Sequence, residues 1–330
     1  MIAEEQPNTI VSDSSSHASH NIIQHTEIQN QDSFQLLKKL NNSRHPVYLV
    51  YHSGLDQHLV MKIFHHDEQK RPPLPYLNEI RFLEVDHPHI INYVSAESDR
   101  SLQCGPVSFH FSYTMSQYLP NDNLLNVINA YPQLFTDKLI RTYFLQLLDA
   151  IEYLHQNEIA HLDLKLENTV LDARYSLRLI DFDLAYHKGD KQILSKGTAY
   201  YRAPELAKLS KEINPFAADV YSLGCILFIL KSGGAFPHLE NKNHQGVNLF
   251  NLLVLDKNDF WEQHEKFEQK EKGFYTPEFR ELFEGMTSWD AEERWSLKKI
   301  RESEWLDGDV YSQDELEELM TVELSKLEKE

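Results

Sequence analysis

The 330-residue chain has only two cysteines, Cys104 and Cys225, too few for a disulfide framework or a cysteine-based metal site. Positive charge is also in short supply. Its 32 Lys and Arg face 51 Asp and Glu, a formal charge of −19, which argues against nonspecific binding to nucleic acid or anionic lipid. Long apolar runs are missing: Val220 to Leu230 is interrupted by Ser222 and too short to cross a bilayer. The first residues are acidic and amide-rich rather than basic and then apolar, so no signal peptide is expected. Ile2 after Met1 excludes N-myristoylation. The 17 histidines form no His-Glu-x-x-His pattern. The expectation is a reducing, cytoplasmic setting, with no nucleic acid and no membrane as partner.

What is present suits a globular protein: 41% hydrophobic and 25% charged residues are enough for a sizeable core. Residues 1–33 are rich in Ser, His, Asn and Gln and read as a disordered polar tail. From Phe34 the pattern turns β-rich. Val47 to Tyr51 and Leu59 to Phe64 are β-branched and aromatic runs around a Ser53-Gly54 turn, which predicts a hairpin. Prolines 72, 73 and 75 precede an expected helix over Tyr76–Val85. Two further strands are expected, over Val107–Phe111 and Ser112–Gln117. Leu139 to His155 then carries apolar residues at a 3.6-residue period, the mark of an amphipathic helix. Strands first and helices later predict an α+β chain with a small β-rich lobe over 34–118 and a larger helical lobe over 119–306. Residues 307–330 form an acidic stretch with Leu316, Leu319, Val322, Leu324 and Leu327 at helical spacing. It reads either as a surface helix packed on its own domain or as a segment that meets a regulatory partner.

The chemistry is concentrated in His161-Leu162-Asp163-Leu164-Lys165-Leu166-Glu167-Asn168 and in Asp181-Phe182-Asp183. Phosphoryl transfer from a metal nucleotide needs a carboxylate at the acceptor hydroxyl and a cation to offset phosphate charge. It also needs two oxygen ligands for Mg2+. Asp163, Lys165, Asn168 and Asp181 are those residue types, and a short hairpin between Asn168 and Asp181 would bring the two ligands together.

With Ala203-Pro204-Glu205 further on, this ordered set resembles the eukaryotic-type protein kinase family. The likeness runs from about Phe34 to Leu306 and is nearest to Ser/Thr kinases, in particular the calmodulin-dependent-kinase-like group. It implies a two-lobed protein-kinase-like fold, ATP and Mg2+ as cofactors, and protein substrates. By that resemblance Asp163 is the catalytic base, Lys165 neutralises the transferring phosphoryl group, and Asn168 and Asp181 hold the metal. Lys62, in Val60-Met61-Lys62-Ile63, binds the α- and β-phosphates and pairs with a helix glutamate, Glu79 or, failing that, Glu84. Val47, Val60 and Val170 enclose the adenine, the backbones of Gln117 and Leu119 face its edge, and Asn123 contacts the ribose. Ser116 is a small gatekeeper. Thr198 is expected to touch Asp163 and Lys165, Glu205 to pair with Arg294, and Asp219 to hold the catalytic-loop backbone. Glu167 favours substrates with basic residues near the acceptor.

Three departures stand out. Leu40, Asn42 and His45 replace the family's phosphate-loop glycines, whose missing Cβ atoms let backbone N–H groups approach phosphate. Leu162 replaces the arginine that binds a phosphorylated activation loop. Asp183 replaces the glycine of Asp-Phe-Gly and is expected to reduce loop mobility. Ser195 and Thr198 are the remaining acceptor candidates in that loop. The two readings are an active Ser/Thr kinase and a pseudokinase that acts as a scaffold or allosteric partner. The retained charges favour the first, because each is costly to keep in a cleft without a ligand.

Overall fold

The computed structural model describes residues 34–41, 43–67, 69–104, 107–191, 193, 197–208, 213–238, 240–241 and 247–327. The expected polar tail, Asn42 and Ser195 lie outside these residues.

The small lobe is one antiparallel sheet of five strands in the order β1-β2-β3-β5-β4. The strands are β1 (Phe34–Lys39), β2 (Val47–His52), β3 (Gln57–His65), β4 (Tyr93–Cys104) and β5 (Val107–Gln117). Alternation decides which face each residue takes. Val50, Leu59, Met61, Ile63, Tyr113 and Met115 share one face and are buried together. Val47 pairs with Lys62 and Val60 with Leu49, while Lys62 and Val60 pair with Thr114 and Ser116. Those residues therefore share the opposite face, the one turned towards the large lobe.

The hairpin β2–β3 forms as expected; its turn places Asp56 at φ 51° and ties its carboxylate to the Tyr51 hydroxyl at 2.6 Å. Two expectations change. The strands foreseen at Val107–Phe111 and Ser112–Gln117 are one continuous strand. Its partner β4 was not foreseen, because Tyr93–Cys104 is polar and its pairing is broken by irregularities near Tyr93 and between Glu97 and Arg100. The expected helix over Tyr76–Val85 starts earlier and is shorter. It is α-helical over Leu74–Glu79 (α1) and tightens to a 3₁₀ turn over Ile80–Phe82. Pro75 is acceptable there because the first turn has no N–H partner to lose.

The large lobe is helical. Helix α2 (Leu124–Ala130) is capped by Asn123, and α3 (Asp137–Gln156) is capped by Thr136 with Asp137 in its first turn. Two short hairpin strands follow, β6 (Thr169–Leu171) and β7 (Leu177–Leu179). Helix α4 (Pro215–Ser232) has Asn214 as its cap and ends at Gly233, whose φ of 85° suits glycine. It is buried on nearly all sides and mostly apolar, as suits a helix in the centre of a core. By length and composition it is long enough to cross a membrane, yet nearly all of it is buried within the lobe. Helices α5 (Lys257–Phe267) and α6 (Pro277–Met286) pack beside it.

The acidic stretch forms helix α7 (Gln313–Leu327) and packs on its own domain. Leu316 and Met320 are fully buried. Arg174, in the β6–β7 turn, pairs with Asp314 at 2.6 Å and Glu317 at 2.7 Å. Exposed pairs of this kind contribute little, so the two apolar side chains supply most of the docking energy. Leu316→Ala or Met320→Ala should each lower unfolding free energy by about 2–5 kcal/mol. Val322→Ala, on the exposed face, should stay within about 0.5 kcal/mol of wild type. Chemical denaturation of the full chain measures all three.

Candidate active site

The cleft between the lobes is organised around Lys62. Its Nζ lies 2.6 Å from Glu79 Oε1, 2.6 Å from Asp181 Oδ1 and 2.5 Å from Asp183 Oδ1. Glu79, on α1, is the partner; Glu84 is exposed. Thr114 donates its hydroxyl to the second Glu79 oxygen at 2.8 Å. Asn78 donates to the Asp183 carbonyl, also at 2.8 Å.

These charges set one another's protonation. Burial works against the Lys62 cation, but Glu79, Asp181 and Asp183 together hold it well above the usual lysine range. Burial pushes the Glu79 carboxyl up to about 8, with Lys62 opposing and Asp183 adding to the rise. For Asp181 burial is outweighed by Lys62, and the carboxyl is held below its ordinary value.

Backbone geometry aims the second half of the site. Asp219, fully buried in α4, accepts the backbone N–H groups of His161 and Leu162, both at 2.8 Å. His161 donates Nε2–H to the Ile180 carbonyl at 3.1 Å, and its Nδ1 accepts from the Asp163 N–H at 3.2 Å. Asp163 then receives Lys165 Nζ at 2.6 Å and the Thr198 hydroxyl at 2.7 Å. Lys165 also reaches Thr198 at 3.2 Å. Asn168 donates its Nδ2 to the Asp163 carbonyl at 2.9 Å, which leaves its Oδ1 as the atom suited to a cation.

The hairpin β6–β7 forms, with Thr169 paired to Leu179 and Leu171 to Leu177. The Ile180 N–H donates to the Asn168 carbonyl at 2.9 Å, which ties the backbone at Asn168 to the residue before Asp181. Phe182 is buried between Phe82, 3.9 Å away and stacked, and His161 at 5.0 Å, and this fixes the loop on which Asp181 stands. Asp181 itself has φ 69°, a left-handed conformation that Asp tolerates better than most residues.

A buried ion pair closes the large-lobe side. Arg294 meets both Glu205 oxygens, at 2.6 and 2.7 Å, and donates to the Ala217 carbonyl at 2.9 Å.

With the geometry in hand, comparison with known proteins is decisive. The family model described as a protein kinase domain matches residues 43–306. This chain belongs to the protein kinase family. It is 28% identical over 225 residues to the carbon catabolite-derepressing protein kinase of Secale cereale, covering 64% of this chain and 42% of that protein. It is 30% identical over 224 residues to a probable serine/threonine-protein kinase, KIN1 homolog, of Encephalitozoon cuniculi, covering 67% and 35%. With the serine/threonine-protein kinase ppk25 of Schizosaccharomyces pombe it shares 40% identity over 126 residues, covering 37% and 29%. The chain thus spans less than half the length of each of these relatives. The matches support the family without singling out the calmodulin-dependent-kinase-like group.

The departures from the kinase pattern now have positions. Leu162 is buried in the large-lobe core, with φ 62°. Gly197 comes so close to the Leu162 carbonyl that an added Cβ would lie 3.0 Å from its oxygen. In the kinase roof Leu40 is exposed, and Asn41 accepts the Val47 N–H at 3.0 Å. The His45 ring packs on Phe64 at 4.8 Å, and burial holds its pKa below the ordinary value. Around the kinase cleft, Val47, Val60 and Ser116 are half-buried on the Lys62 face, and Val170 forms a backbone bridge with Asn123. Two backbone and side-chain groups are already engaged: the Gln117 N–H donates to Asn92 C=O at 2.9 Å, and Asn123 Oδ1 caps α2. Leu119 packs against the large-lobe core. Tyr201 donates its hydroxyl to Glu167 at 3.3 Å.

Sequence reasoning missed Thr114, Asn78 and the Asp183 side chain as parts of the kinase cleft. It also missed Arg81, which makes a two-pronged pair with Asp190 at 3.0 and 3.1 Å between the end of α1 and the activation segment. No residue type announced these contacts, since each depends on where α1 comes to rest.

Arg294→Met should destabilise the domain by about 3–5 kcal/mol, because Glu205 is left charged and shielded from water. Chemical denaturation reads the loss, and adding Glu205→Met should recover most of it.

Proposed function

We propose that the chain is an ATP- and Mg2+-dependent kinase that transfers the γ-phosphoryl group to Ser/Thr hydroxyls of protein substrates. The observation that carries this reading is the cluster of Asp163, Lys165 and Thr198, with Asn168 bonded to the Asp163 carbonyl and its own backbone joined to the residue before Asp181. An Asn amide oxygen and a carboxylate are hard donors of the kind Mg2+ takes, so the residues fit the ion. Bound Mg2+ would neutralise phosphate charge as the transfer proceeds.

Asp163 would hold the acceptor hydroxyl and take its proton as the oxygen attacks the γ-phosphorus and the bond to the β-phosphate oxygen breaks. Lys165 would offset charge on the moving phosphoryl group, and Lys62, fixed by Glu79, would bind the α- and β-phosphates. Val47, Val60 and Val170 would enclose the adenine, the backbones of Gln117 and Leu119 would face its edge, and Asn123 would meet the ribose. Glu167 supports substrates with basic residues near the acceptor, and the low cysteine count and acidic balance support a cytoplasmic setting without nucleic acid or membrane. A regulatory partner of α7 would meet its exposed face, since Leu316 and Met320 are committed to the domain.

The second reading, a pseudokinase scaffold, rests on the roof, where His45 replaces a glycine, and on the Asp183 carboxylate at Lys62. Labelled ATP, Mg2+ and a basic peptide library separate the two. Asp163→Asn should lower transfer by about 10²–10⁴-fold while the fold stays intact by circular dichroism. Wild-type transfer no greater than that of the variant would contradict the enzyme reading.

A further inference from the structure

Lys62 is the one cation in contact with Glu79, Asp181 and Asp183 among the described residues, and its three partners carry three carboxylates. Oxygens of these three acids lie within 4.8 Å of one another. A kinase with glycine at position 183 would set two acids, not three, around this lysine. The additional negative charge sits where the proposed phosphate-binding residue must receive a polyanion. Asp183 is also held in place from behind, because Asn78 fixes its carbonyl at 2.8 Å. Its carboxylate can leave Lys62 by swinging about its own side chain while that hydrogen bond stays in place.

We propose that Asp183 makes nucleotide binding conditional on a divalent cation: metal-free triphosphate is repelled from the Lys62 cluster, and triphosphate carrying Mg2+ is accepted. The inference rests on nucleotide binding at Lys62 as proposed above. A metal-free triphosphate must compete with Asp183 for the ammonium and also approach the Asp181 carboxylate. Charge of the same sign at such distances, in a site largely shut off from water, is repulsive and poorly screened. A divalent cation removes the conflict, since it gives the displaced carboxylate and the phosphates a common counter-charge. Cation and nucleotide are then coupled, and the coupling is reciprocal: each tightens the other by the same factor. Asp183 thus sets which form of the nucleotide the cleft selects.

The test measures affinity, independently of turnover. Isothermal titration of the full chain compares ATP in EDTA, ATP with Mg2+, and adenosine under both conditions. Wild type should bind ATP with Mg2+ far more tightly than ATP alone, while adenosine, which has no phosphates, should bind alike in both. In Asp183→Asn, which keeps the shape and removes the charge, the ratio of the two ATP affinities should shrink by about tenfold or more. Asp183→Gly, which restores the family's residue, should shrink it likewise and provides the reading if the Asn variant fails to fold. An unchanged ratio in folded variants would overturn the role of Asp183 and leave nucleotide binding standing. A change in the Gly variant but not in a folded Asn variant would assign the effect to backbone freedom and overturn the charge argument. Failure of wild type to bind either ATP form would overturn the nucleotide reading, and this inference with it.

Discussion

The active-site half of the small lobe depends on one buried ammonium. Lys62 joins β3, helix α1 and the loop after β7 through Glu79, Asp181 and Asp183. A buried cation is expensive to desolvate, and a buried carboxylate equally so; together, with Thr114 on the far oxygen of Glu79, they offset that cost. Helix α1 has only six residues, too few to persist on its own. Its position comes from this ion cluster, from the stacking of Phe82 on Phe182, and from the Arg81 pair with Asp190. The parts of the cleft that differ most in sequence position therefore hold one another.

The large lobe supplies the fixed counterpart. Helix α4 is buried all round, so it cannot rotate to expose a different face, and Asp219 rides on it. Through two backbone N–H groups Asp219 sets the path of the catalytic loop, and the loop then presents Asp163. Arg294 and Glu205 lock the end of the activation segment to the same helix through the Ala217 carbonyl. Position and charge are what phosphoryl transfer asks of a protein, and in the proposed reading buried partners set both. Leu162 adds apolar packing at the place where the family's arginine would await a phosphate. The pair between Arg81 and Asp190 links α1 to the activation segment without any added group.

How much of this was legible in the sequence followed from how local each signal was. Motif spacing located Lys62, Asp163, Lys165, Asn168, Asp181, Glu205, Asp219 and Arg294, because each belongs to a short stretch with a fixed backbone shape. The period of α3 and the β2–β3 hairpin were readable for the same reason. Strand β4 was not, since its polar residues and broken register hide the alternation that marks a strand. Glu79 was chosen over Glu84 from its place earlier in the helix, and the 3₁₀ turn over Ile80–Phe82 separates Glu84 from α1 and leaves it exposed. Asp183 was read as a stiffer residue in place of glycine. Its carboxylate on Lys62 is a side-chain direction, which sequence does not carry.

The central claim is that the buried charges, rather than the glycine-free roof, decide whether phosphate is transferred. Steady-state kinetics on two variants, Lys62→Met and His45→Gly, tests it most directly. Loss of an interaction made in the transition state lowers kcat, whereas a change in ground-state binding alone appears in KM. The account predicts that Lys62→Met lowers kcat by about 100-fold or more, and that His45→Gly alters KM for ATP with kcat nearly unchanged. A Lys62→Met protein that keeps its kcat, or a His45→Gly protein whose kcat rises steeply, would contradict it.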